Sequence, residues 1–139
     1  MRRSIARGLL LALGAACAAC SSDTTSTPTP TPTTLTDTFD GTLTRNGAVT
    51  HPFIATASGN VQATLVSESP DSTLPIGMSI GTFNGSSCSV GSGLFKDNAV
   101  QGSALLVTAS GSGSLCVRMY DVGNITGTPV TYQVTVMHP

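Results

Sequence analysis

Apolar and polar positions alternate strictly over residues 130–136. Val130, Tyr132, Val134 and Val136 fall on one face, and Thr131, Gln133 and Thr135 on the other. A period of two predicts a strand with one buried face. The segment before it, Leu115 to Tyr120, sets Leu115, Val117 and Met119 against Cys116, Arg118 and Tyr120. The first set is expected inward, because Arg118 in the core would need a buried partner. The linking stretch is rich in Gly, Asn and Thr, so these two strands are expected to be joined by a loop.

The same pattern continues upstream. Strands are predicted at 37–43, 49–57, 61–67, 74–83 and 104–109, with short ones at 87–90 and 94–96. Asn46-Gly47 between the first two is a hairpin signal. Ser58-Gly59-Asn60 and the Ser110–Gly113 run are expected as turns, and Glu68 to Thr73 as a polar loop. Residues 84–102 carry the weakest pattern. Turns recur roughly every 8–12 residues and no helical period appears, which predicts an all-β, antiparallel, jelly-roll-like β-sandwich over residues 37–139.

The first twenty residues break from this pattern. Arg2, Arg3 and Arg7 precede an apolar run from Gly8 to Ala19. That run is shorter than the ~20 residues a membrane span needs, so it reads as the helix of a signal peptide. It ends in Ala-Ala-Cys-Ala-Ala-Cys-Ser-Ser. Small residues before a Cys resemble the bacterial lipoprotein cleavage box, and the resemblance implies a lipid on Cys20, with Cys17 the alternative. Neither has the Leu usual three positions upstream. An ordinary secreted protein cleaved after an Ala is the competing reading. Lipid chains contribute about 0.8 kcal/mol per buried CH₂, and two or more hold firmly to a membrane. Residues 21–36 are Thr, Ser and Pro with a Thr-Pro repeat. They predict a disordered, semi-rigid tether reaching roughly 50 Å. The expected location is the bacterial cell envelope, facing outside the cytoplasm.

Charged residues make up only 9% of the 139. After Cys20, three basic residues face seven acidic ones. No basic patch exists to neutralise phosphates, so nucleic-acid binding is not expected. Of the four Cys, Cys17 and Cys20 belong to the leader. Cys88 and Cys116 are expected to pair in an exported domain. The alternative, a metal site, lacks supporting ligands, since the two His are His51 and His138. Asp121 with Asn124, and Glu68 with Asp71, are weak Ca²⁺ candidates against the plainer role of Asx turns. Asp37 and Asp40 read as strand-edge residues. No catalytic residue, nucleophile motif or cofactor fingerprint is found, so no enzyme activity and no cofactor are expected.

The ending Leu-Cys-Val-Arg-Met-Tyr-Asp, turn, Thr-Tyr-Gln-Val-Thr-Val resembles the bacterial pre-peptidase C-terminal domain. So does the earlier Gly41-Thr42-Leu43 strand followed by His51-Pro52-Phe53-Ile54-Ala55. The resemblance covers roughly 37–136. It implies a sandwich that accompanies secreted enzymes and carries no catalytic residues. No peptidase domain precedes it here, so an accessory role within this chain is not expected. A membrane-tethered module for binding or envelope interaction follows, with an envelope protein or polysaccharide as partner. A carbohydrate- or Ca²⁺-dependent ligand module is the alternative. Sugar platforms need exposed aromatic rings, and Tyr120 is the one ring expected outside. A groove of exposed aromatics would favour the sugar reading; a Ser-His or carboxylate pair in a cleft would favour a hydrolase.

Overall fold

The computed structural model describes residues 33–139. The leader, Cys17, Cys20 and the tether up to residue 32 lie outside the described residues. Nine strands form: β1 (Leu35–Leu43), β2 (Ala48–Ala55), β3 (Gly59–Ser69), β4 (Ile76–Phe83), β5 (Cys88–Ser89), β6 (Phe95–Ala99), β7 (Ala104–Ala109), β8 (Gly113–Tyr120) and β9 (Val130–His138). They build two antiparallel sheets. The first has the order β1-β9-β3-β7; the second has β2-β8-β4-β5, with β6 also paired to β4. Alternation along each strand puts one apolar face inward. Val61, Ala63 and Leu65 of β3 and Val130, Tyr132, Val134 and Val136 of β9 meet Ile76, Met78 and Ile80 of β4 and Val117 and Met119 of β8 in one buried cluster. The chain is thus an all-β antiparallel sandwich.

One expected connection turns out differently. β1 and β2 do not form a hairpin, because β1 pairs with β9 and β2 with β8. Asn46 adopts the left-handed φ of 56° that its turn needs, and the Gly47 N–H donates to the Thr44 carbonyl at 2.8 Å. The tight turn is real, but it carries the chain from one sheet to the other. β8 and β9 are joined by a loop, as expected, and lie in opposite sheets. Strand β1 begins at Leu35, which pairs with His138, two residues before the alternation suggested.

The polar loop expected from Glu68 is partly strand. Between Leu65 and Ser67 the β3–β9 register shifts, leaving Val66 as an extra residue. A bulge of one residue reverses which side chains face inward. Glu68 therefore follows Leu65 onto the core side, opposite Tyr132, and is only 5% exposed.

Candidate functional site

The outer face of the second sheet is organised by what its central strand lacks. On β4, Gly77, Ser79 and Gly81 alternate with the core residues Ile76, Met78 and Ile80. A Cβ on Gly77 would lie within 2.5 Å of the Tyr120 ring, and one on Gly81 would lie 2.2 Å from the Ser89 carbonyl oxygen. The absent side chains thus let Tyr120 and the 88–91 segment fold down over β4. The Cys88–Cys116 disulfide, as the sequence predicts, fastens that segment to β8. Cys116 opposes Gly81 across the β8–β4 ladder and Cys88 opposes Phe83 across β4–β5, so the bond spans the central strand.

Between these covers lies a trough of about 280 Å³, lined by Ser79, Val90, Gly91, Ser92, Phe95, Arg118 and Tyr120. Register assembles it. Ser79 sits opposite Arg118 on one side and Phe95 on the other. Ser79 forms the buried floor, its hydroxyl donating to the Arg118 carbonyl at 3.4 Å. Phe95 is 49% exposed, so the expectation that the Phe rings serve the core fails here. The β4–β6 register shift between Ile76 and Met78 leaves β6 out of phase with a simple alternation. Tyr120 is half-buried and donates its hydroxyl proton to the Asp97 carboxylate. Burial, reinforced by Asp97, pushes that phenol up to about 12. The Arg118 guanidinium lies 5.2 Å from the Tyr120 ring centroid, in cation–π range. Among the described residues no carboxylate is within ion-pair distance of it.

The other sequence candidates have local duties. One oxygen of Asp121 accepts the N–H groups of Gly123, Asn124 and Ile125, and the other accepts that of Asn46. Burial opposes ionisation, but these four donors outweigh it and hold the carboxyl below its ordinary range. Asn124 donates to the Pro75 carbonyl at 2.8 Å. Both are staples that join three loops at one end of the sandwich. Asp71 accepts from the Thr73 hydroxyl and N–H, which depress its pKa. Asp37 and Asp40 part company: Asp37 meets His138 at 3.1 Å, while Asp40 accepts from Gln133. Among the described residues no group of three or more His, Cys, Asp or Glu is placed to hold a metal ion.

Both His line the seam where β1 and β2 close the sandwich. His51 stacks on Phe39, ring centroids 4.9 Å apart, and its Nε2 lies 2.8 Å from the Tyr132 hydroxyl. Burial lowers its pKa, against a weaker pull from Asp40. His138 packs on Phe53. A larger cleft, about 510 Å³, opens between β7 and β4 at the 110–114 turn. Its lining is Ser, Gly, Thr and aliphatic, without an aromatic ring or a charge. On the outer face of the first sheet Thr42, Thr131 and Ser69 form one cross-strand row and Asp40, Gln133 and Ser67 the next. That face offers hydroxyls in these rows and exposes Leu106 and Met137 in the row through Gln62, but none of its exposed large apolar side chains is aromatic.

No family model matches the chain, and no curated protein is detectably similar to it.

Proposed function

We propose that the chain is a lipid-anchored, non-enzymatic module of the bacterial cell envelope that binds carbohydrate on the outer face of its second sheet. The Ala-Ala-Cys box after a short apolar run supports the anchor, at Cys20 or Cys17. The Thr-Pro spacer supports a domain held off a membrane. The resemblance to the pre-peptidase C-terminal module, itself an accessory to secreted enzymes, agrees with a binding role.

One observation carries the choice of ligand. Phe95 is large, apolar and about half exposed, and it stands beside Tyr120 at the rim of a polar-floored trough. A solvent-exposed Phe contributes little to folding, whereas an aromatic face is a platform for the C–H face of a pyranose ring. The two His are engaged by Tyr132 and Asp37, which supports a role in closing the sandwich rather than in acid–base chemistry.

The test is retention on a glycan array by the full chain and by Phe95→Ala. Selective retention should weaken about tenfold in the variant, equivalent to roughly 1.4 kcal/mol. Thermal stability should change by no more than about 0.5 kcal/mol, because the ring is exposed. Absence of selective retention, or retention untouched by the substitution, would contradict the proposal.

A further inference from the structure

We infer that the trough takes a carboxylated sugar, a uronic acid-type pyranose, with Arg118 as the group that selects the carboxylate. The inference rests on the carbohydrate reading above and adds the charge class of the ligand. It begins from an imbalance on β8. Arg118 is half-buried, yet no acidic side chain among the described residues pairs with it. Asp97 on β6 accepts the Tyr120 hydroxyl instead. The guanidinium is meanwhile held beside the Tyr120 ring. Tyr120 thus engages the acid through its hydroxyl and the cation through its ring.

This arrangement leaves the planar donors of Arg118 without an acidic partner among the described residues, at the edge of the trough. A guanidinium presents parallel N–H donors that match the two oxygens of a carboxylate, and its contact with an aromatic ring limits the orientations it adopts. Phe95 stands on the far side of Ser79 from Arg118 in the same cross-strand row. Two strand spacings of about 4.8 Å separate the two positions, close to the width of a six-membered ring with one substituent. A pyranose stacked on Phe95 would therefore extend a ring carboxylate towards Arg118, while Ser79, Gly91 and Ser92 line the space between. Shape and charge agree on one occupant, a flat-faced sugar with a single acid group.

The charge of the domain narrows the class. Arg118 is one of three basic side chains among the described residues, the others being Arg45 and Lys96, against six acidic ones. A net negative surface repels densely charged polyanions at long range. An isolated uronic acid meets one fixed cation at short range and pays little of that cost. The fitting ligand is a sparsely acidic polysaccharide rather than a sulfated or phosphorylated one.

The experiment compares methyl β-glucuronide with methyl β-glucoside, which differ only in the carboxylate. Each is titrated into the ¹⁵N-labelled full chain, up to roughly 10 mM to cover millimolar affinity. The glucuronide should bind roughly tenfold more tightly, with the Arg118 Nε–H resonance among those that shift. Arg118→Gln should bring the ratio of the two affinities near one, and Arg118→Lys should leave it in between, since a point charge lacks the fork. The amide spectra of both variants verify the fold. Equal affinity of the natural protein for the two sugars would overturn the carboxylate assignment and leave the carbohydrate reading standing. Binding of neither would overturn both. A preference that survives Arg118→Gln would place the carboxylate elsewhere and also overturn the inference.

Discussion

Glu68 is the residue whose environment departs furthest from what its neighbours in sequence suggest. Next to Ser, Pro and Asp it reads as a loop residue, and the one-residue bulge at Val66 is what turns it inward. Nothing in the alternation of Val61, Ala63 and Leu65 announces where the phase will slip, so this position was not legible. Its two oxygens lack hydrogen-bond partners among the described residues. Burial, with the Asp71 charge adding to it, raises the carboxyl to about 7. The folded protein therefore holds a proton that the unfolded chain gives up near pH 4.5. This favours the fold at low pH, and the advantage is lost as pH rises from about 4.5 to about 7. Glu68→Gln should remove that slope. The variant should match the natural protein near pH 4 and exceed it by about 1–2 kcal/mol at pH 8, read by urea denaturation across pH. A constant difference at all pH values would contradict the assignment. Asp121 is the opposite case: the Asx-turn reading of its sequence neighbourhood matches three of its four backbone partners, Gly123, Asn124 and Ile125, while Asn46 comes from a distant turn.

At the scale of elements, most strands were legible because each buries one face and so keeps a period of two. Pairing was not. Asn46-Gly47 specifies a tight turn, yet whether the next strand returns beside the last or crosses to the other sheet depends on core packing across the sandwich. The 84–102 excursion had little pattern because, of its described residues, only Ala99 joins the buried core. β5 contributes two residues to the ladder, and the disulfide holds it over Gly81. Closing a loop of 28 residues stabilises the fold by about 3–4 kcal/mol on the chain-entropy model. Reduction should therefore lower stability by up to that amount. Hydrogen exchange should speed up chiefly over 84–102, since β3 and β9 keep their own core. Uniform acceleration across all nine strands would show that the bond supports the whole sandwich instead. The trough shares a wall with this excursion, through Val90, Gly91 and Ser92, so reduction should weaken sugar binding as well.

At the scale of the whole molecule, the sandwich formed by the described residues has two outer faces that differ. One face is mostly Thr, Ser and Gln, with Leu106 and Met137 exposed among them; the other carries Phe95, Arg118 and Tyr120. The sandwich and its disulfide were readable from alternation and Cys usage. The proposed binding face was only half readable, because Tyr120 was placed outside by its register with Arg118, whereas the exposure of Phe95 depends on how short β6 meets β4. The proposed anchor predicts that radiolabelled palmitate enters the natural protein and is lost in Cys20→Ser. Full labelling of that variant, with loss in Cys17→Ser, would move the site to Cys17, and labelling of neither protein would remove the anchor from the account. The central claim is that this molecule binds sugar on one particular face. It is tested most directly by mapping amide shifts of the full chain on addition of an acidic trisaccharide containing one glucuronic acid. Shifts are expected to cluster at Gly77, Ser79, Gly91, Phe95, Arg118 and Tyr120. Shifts centred instead on the Thr42–Thr131–Ser69 row of the opposite face, or none at all, would contradict it.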